Sequence, residues 1–333
     1  MLVFLMGNFS RDSWVRRRIK FRVKSSKFQN KAARWLPGFC GASATRTLLS
    51  RLTVIASLGV SSFSADAHAI PAFSQIIAFG DSYSESGNIG RSTDAENWLE
   101  YLAADLNIPG GILPSNDGGT NYSLGTASTL GSGVVDFDSQ LRTYRSQNPV
   151  ADPDALYVVW LGFNDILLAE DPPDLQDFAD AIATRIDEGI REIWQAGGRH
   201  FLIPSPWDIT TTPFSNIFQT PGVREQERAL LQLFNESLDV VLDTFPTPVH
   251  RLDAFGLSRE IFADPALFGF TEGQSVCPSD ATTCEGFIWR DLIHPSSATH
   301  RILADRALAA IPEPSTALLT SLGLVVLGLR KRV

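Results

Sequence analysis

Residues 155–204 read ALYVVWLGFNDILLAEDPPDLQDFADAIATRIDEGIREIWQAGGRHFLIP, and this stretch decides the fold class. Ala155–Leu161 is the strongest strand signal in the chain, an unbroken apolar run ending at Gly162. Phe178, Ile182, Ile186, Ile190 and Ile193 follow at steps of 4, 4, 4 and 3, which predicts one face of a helix closed by Gly197-Gly198. Phe201–Ile203 then predicts a second strand, ending at Pro204. Strands alternating with helical patterns predict an α/β domain with a parallel sheet.

The same alternation extends in both directions. Gln75–Phe79 reads as a buried strand, Trp98–Leu106 as a short helix and Asn121–Leu124 as a further strand. Leu230, Phe234, Leu238, Val241 and Phe245 mark another amphipathic helix, and Val249–Leu252 a fifth strand. Ser297 is placed to cap a last helix, Ala298–Ala310. These stripes are core packing and carry no chemistry.

Charge divides the chain into three parts. The whole carries a net −9, yet residues 1–69 hold 12 basic against 2 acidic side chains and residues 312–333 hold 3 against 1. Residues 70–311 are left with 13 against 34, a net of −21. A body so acidic repels phosphate backbones, which argues against nucleic-acid binding. All 13 of its basic residues are Arg. Without a Lys, a P-loop, a Schiff-base enzyme, a Ser-Lys hydrolase and a kinase each lack an essential atom. The sequence also contains no G-x-G-x-x-G, H-E-x-x-H, C-x-x-C or G-x-S-x-G. Neither a metal nor an organic cofactor is implied.

Each end reads as a targeting segment. Arg46 and Arg51 precede the apolar Leu52–Val60, and small residues lead to Ala67-His68-Ala69, the pattern of a cleaved export signal behind a basic extension. At the other end Pro312-Glu313-Pro314 precedes the 13-residue apolar run Ala317–Leu329 and then Arg330-Lys331-Arg332. That run is short against the roughly 20 residues of a stable span. The tail resembles the PEP-CTERM sorting signal of Gram-negative bacteria. The resemblance implies transient anchoring in the inner membrane, recognition by an exosortase and release to the cell surface or matrix. The expected organisation is thus leader 1–69, one domain 70–311 and sorting tail 312–333. Export places Cys277 and Cys284 in an oxidising compartment, where a disulfide closing their short loop contributes roughly 2–3 kcal/mol.

In an open parallel sheet, ligands bind beyond the carboxyl ends of the strands. The loops there are the most unusual in the chain. The first is Phe79-Gly80-Asp81-Ser82-Tyr83-Ser84-Glu85-Ser86-Gly87-Asn88, delivering Ser82 through a glycine turn to an expected helix start. The second, Asn121-Tyr122-Ser123-Leu124-Gly125-Thr126-Ala127, offers exposed backbone amides; the third, Gly162-Phe163-Asn164-Asp165, offers an Asn side chain. Near the end, Asp291-Leu292-Ile293-His294-Pro295 sets a carboxylate three residues before an imidazole, where it can hold Nδ1–H and leave Nε2 to accept a proton. Asp81 and Asp165 read as supports of their own loops. His200 and His250 read as structural, and His300 as a surface residue of the last helix.

Together the four segments resemble the GDSL esterases and lipases, or SGNH hydrolases, in the order Ser, Gly, Asn, His. The first matches that family's Gly-Asp-Ser-x-Ser-x-x-Gly-Asn, and the last its Asp-x-x-His-Pro. The resemblance covers residues 74–308 and implies a three-layer αβα sandwich with a five-stranded parallel sheet, flavodoxin-like in layout. It implies a nucleophile at Ser82, a base at His294 and an orienting carboxylate at Asp291. An oxyanion hole would come from the N–H of Ser82, the second-loop N–H and the Asn164 amide. The family usually has paired glycines in the second loop, whereas here they are Gly125-Thr126, so both are candidates for that N–H. The implied function is an exported esterase or lipase acting on lipid, acetylated-glycan or small esters. The alternatives are an acyltransferase or polysaccharide deacetylase of the extracellular matrix, and an inactive surface or biofilm protein.

Overall fold

The computed structural model describes residues 73–311 apart from 132, 134, 170 and 171. The leader and the sorting tail, with their proposed cleavage sites, lie outside the described residues. Within 73–311, four parallel strands stand side by side: β1 (Ile76–Gly80), β2 (Leu156–Trp160), β3 (His200–Pro204) and β4 (Val249–Leu252). β1 and β2 are buried throughout, as the unbroken apolar runs require of strands covered on both faces.

The expected strand at residues 121–124 lies at the free edge of β1, beside it but irregular. Ala78 donates its N–H to Thr120, while Tyr122 and Leu124 donate to the carbonyls of Ala78 and Gly80. A single parallel bridge, Ala78 to Asn121, is all that forms of a ladder. The reason is local: the Asn121 side chain accepts from the N–H of Ser123, and Asn121 also pairs with Pro114 on its other side. Such side-chain bonds compete with strand pairing. Counting this edge, the order matches the flavodoxin-like arrangement expected from the sequence.

The helices form two layers. α1 (Trp98–Asp105) packs along α8 (Ser297–Ala310). α2 (Phe137–Gln147), α4 (Leu175–Gln195) and α6 (Pro221–Asp243) cover the opposite face. Side chains in a strand alternate between faces. Phe79 and Tyr157, which share one face, contact Tyr144 of α2. Trp160, of opposite parity, meets Trp98 of α1. Ile182, Ile186, Ile190 and Ile193 of the predicted stripe are buried in α4, with Phe178 at its margin. Shorter helices, α3 (Phe163–Leu167), α5 (Pro213–Phe218) and α7 (Ala254–Ala263), occupy the connections. β5 (Glu272–Val276) and β6 (Phe287–Trp289) form a small separate sheet, across whose connection the sulfurs of Cys277 and Cys284 are bonded.

Two details of α8 differ from expectation. Its cap is Ser296, whose hydroxyl accepts from the N–H of Thr299, whereas Ser297 is the first helical residue. Ser296 is favoured because its hydroxyl also bonds the Phe287 carbonyl, which anchors the entry of the helix to β6. His300 is not on the surface. It is 2 % exposed, because the docking of α8 against α1 turns this side inward.

Burial lowers the His300 pKa from 6.5 to about 3, with His294 and Arg91 adding to the fall and Asp94 opposing it. A folded-state value below the unfolded one means stability that is complete above pH 6.5 and lost as the pH falls beneath it. By pH 5 the loss from this imidazole is about 2 kcal/mol. Buried acids such as Asp81 act in the opposite direction, so the informative quantity is a difference between two proteins. His300→Leu is expected to gain about 2 kcal/mol relative to the wild type between pH 7.5 and pH 5 in urea unfolding. Equal pH dependence of the two proteins would contradict this.

Candidate active site

The first loop is built from the end of β1 outward. The Gln140 side chain of α2 clamps the Gly80 peptide, accepting its N–H at 2.9 Å and donating to its carbonyl at 2.8 Å. Asp81 then organises one helical turn: its carboxylate accepts the N–H of Tyr83, and its carbonyl accepts those of Ser84 and Glu85. The turn does not continue into the helix expected there, because Glu85 directs its carboxylate to the N–H groups of Ile89 and Gly90 and bends the chain away. Asp81 thus supports its own loop, as the sequence suggests. Its burial raises its pKa to about 7, opposed by the Tyr83 N–H and by His294 nearby and reinforced by Asp165.

Ser82 stands at the crest of this turn, and its Oγ lies 3.0 Å from Nε2 of His294. Nδ1 of the same ring is 2.7 Å from Oδ2 of Asp291. The other carboxylate oxygen of Asp291 accepts the backbone N–H groups of Ile293 and His294 at 2.9 and 2.8 Å. Burial alone would raise the pKa of Asp291. The hydrogen bond and charge of His294, with these two N–H groups, hold it below the ordinary carboxylate value instead. An ionised carboxylate can only accept, so Nδ1 carries the hydrogen, and in the neutral imidazole Nε2 is left to present its lone pair to Ser82.

The His294 loop is tight. Arg290 donates its N–H to the His294 carbonyl, and Trp289 bridges to Pro295. Tyr83, the residue after Ser82, donates its phenol to the Ile293 carbonyl at 2.6 Å and sets its ring edge-on to His294. The serine and histidine loops are therefore fastened to each other independently of the Ser82–His294 contact.

The two remaining loops meet around Ala127. Gly162 adopts φ +106°, a conformation reserved for glycine, and launches α3, so Asn164 and Asp165 sit in a helical first turn. Asn164 is 7 % exposed and donates one amide hydrogen to the Ala127 carbonyl at 2.8 Å, which leaves its second hydrogen for another acceptor. Asp165, expected to cap its own loop, instead accepts the N–H groups of Thr129 and Leu130 and ties the second loop to the third. Of the Gly125-Thr126 pair, Gly125 donates to Glu85. No acceptor among the described residues takes the N–H of Thr126 or of Ser82.

The candidate catalytic and oxyanion residues thus gather beyond the carboxyl ends of β1, the edge segment and β2, with Asn164 in the first turn of α3, or in the turn before α8. Three supporting side chains escaped the sequence reading: Gln140, Tyr83 and Glu85. Glu85 lies within the quoted first loop, where a carboxylate two residues ahead of Gly87-Asn88 is its one available sign. A hydroxyl against an imidazole that is itself held by a carboxylate can lose its proton as its oxygen attacks an electrophilic carbon.

The family described as GDSL-like Lipase/Acylhydrolase matches residues 76–307. Among individual relatives, Lipase 1 of Photorhabdus luminescens is 29% identical over 172 residues, covering 47% of this chain and 25% of that protein. The chain thus spans about a quarter of that lipase. An acetylesterase of Thermothelomyces thermophilus is 23% identical over 266 residues, covering 69% of this chain and 85% of that protein. An acetylxylan esterase crystal structure from Geobacillus stearothermophilus aligns with TM-score 0.44 at 15% identity, covering 73% of this chain and 95% of that one.

Proposed function

The chain belongs to the GDSL-like lipase/acylhydrolase family, and from that premise we propose that it hydrolyses carboxylic esters through an acyl-serine intermediate. The observation that carries the reading is the unbroken sequence of contacts from Ser82 Oγ to His294 Nε2 and from His294 Nδ1 to Asp291. Ser82 attacks the ester carbonyl as its proton passes to Nε2, and the imidazolium formed is stabilised by Asp291. The tetrahedral oxyanion is received by the unengaged N–H groups of Ser82 and Thr126 and the second amide hydrogen of Asn164. Each such donor contributes about 3–4 kcal/mol to the transition state. Collapse of the intermediate returns the proton from Nε2 to the departing alcohol. Water then enters, gives a proton to Nε2 and releases the acid by the same steps reversed.

The same proposal has the protein exported and sorted at its C-terminal tail to the surface of a Gram-negative cell. Support comes from the two terminal sequence patterns and from the bonded Cys277–Cys284 pair, which suits an oxidising compartment. An inactive surface protein is disfavoured because nothing would require the hydroxyl and imidazole to stay at 3.0 Å. One experiment reads both halves. The protein is recovered from producing cells, treated with a fluorophosphonate and mapped by mass spectrometry. The expected result is a single adduct on Ser82, in a chain cut near Ala69 and near Pro312-Glu313-Pro314. An adduct on another serine removes the mechanism, and intact termini remove the sorting.

A further inference from the structure

Thr126 and Asn107 are the non-glycine residues with positive φ among the described residues, and Thr126 lies in the second loop at φ +67°. For a β-branched side chain this conformation is an outlier, and such outliers persist only where the surroundings over-determine them. The surroundings here are specific. On one side of Thr126, the Ala127 N–H bonds the Leu124 carbonyl and the Ala127 carbonyl takes the Asn164 amide. On the other, the Gly125 N–H is held by Oε2 of Glu85.

Glu85 is 2 % exposed, and its carboxylate bonds backbone N–H groups throughout: Oε1 takes those of Ile89 and Gly90, and Oε2 that of Gly125. A Cβ added at Gly125 would lie 2.7 Å from this same oxygen, so the approach of the carboxylate needs glycine there. Glu85 also follows Ser82 by three residues on the same loop. One buried carboxylate thus connects the loop of the hydroxyl to the loop of the strained peptide. By occupying the Gly125 N–H it leaves that of Thr126 as the free donor of the pair.

We propose that Glu85 is a positioning residue for the oxyanion hole. Its carboxylate sets the Gly125–Thr126 peptide so that the Thr126 N–H faces the carbonyl attacked by Ser82. The proposal rests on the ester-hydrolase reading above and adds to it a residue that never touches substrate. It also accounts for threonine at this position: the clamp at Gly125 and the Asn164 bond at Ala127 impose the backbone that a second glycine would otherwise adopt freely.

The test uses Glu85→Gln and Gly125→Ala in the full chain. In Glu85→Gln, the amide oxygen is best placed against the two N–H groups of Ile89 and Gly90. The NH₂ group then faces the Gly125 N–H, donor against donor, and the clamp opens. Gly125→Ala pushes the clamp apart from the other side. For each folded variant kcat should fall by roughly 10- to 100-fold, short of the loss from deleting a donor outright, with KM within about threefold. Phenylboronic acid, which forms a tetrahedral adduct on the serine, should lose affinity by a similar factor. The acid limb of the pH–rate profile should not move, because His294 and Asp291 are untouched.

Wild-type kcat and boronate affinity in either folded variant overturns the proposal. So does a kcat loss accompanied by a displaced acid limb, which would mean the whole site has loosened. Should Glu85→Gln fail to fold, Gly125→Ala alone decides. Wild type and Ser82→Ala in the same assay report the underlying reading separately: equal turnover by those two proteins removes both, whereas a wild-type-like Glu85→Gln removes only the role of Glu85.

Discussion

Replacing Ser82 with Ala will reduce ester turnover by on the order of 10⁵-fold or more, the scale of losing the nucleophile from a unit that works together. The loss will fall on kcat, measured with nitrophenyl butyrate, because the remaining loops still bind the ester. The fold will be retained. The Ser82 hydroxyl bonds His294 alone, while Asp81, Gln140 and Tyr83 hold the loop through other atoms. A surviving rate within tenfold of wild type, in a protein with unchanged melting temperature, would show that another group attacks. The residual rate of the variant measures what the oxyanion donors and binding contribute without a nucleophile.

Asp291→Asn will lower kcat by about 10⁴-fold, although it alters one atom. The direction of the new amide is dictated by the structure. Two backbone N–H groups, of Ile293 and His294, point at one carboxylate oxygen, so the Asn oxygen must stay there. Its NH₂ is then turned to Nδ1 of His294, which must give up its hydrogen and become an acceptor. Nε2 carries the hydrogen instead and can no longer take the proton of Ser82. The expected signature is a collapsed kcat in a folded protein that has lost the downfield Nδ1–H proton resonance. Retention of both activity and that resonance would show that the carboxylate does not set the tautomer.

Much of this was legible in the chain because both features reside in contiguous segments. The strand Ala155–Leu161 and the stripe from Phe178 to Ile193 announce themselves through period and composition, and β2 and α4 lie where those patterns are. Ser82, Asn164, Asp291 and His294 are legible for a related reason: each follows a strand end or precedes a helix. What escaped is pairing at a distance. Glu85 to Gly125, Gln140 to Gly80 and Asp165 to Thr129 join residues 40, 60 and 36 positions apart, through polar side chains that leave no periodic trace. The edge segment at 121–124 is not a regular strand for the same kind of reason, since the Asn121 side chain bonds the nearby backbone. His300 was misplaced because its surroundings are set by α1, almost 200 residues earlier.

The oxygen of residue 82 and the nitrogen of residue 294 come from positions 212 apart in the chain. A growing or unfolded polypeptide therefore presents the alcohol long before its partner exists, and such a chain is chemically mute. The reactive pair comes into being only when the turn carrying His294 is fastened to the first loop, where the Tyr83 phenol meets the Ile293 carbonyl, so competence for catalysis waits on a completed fold.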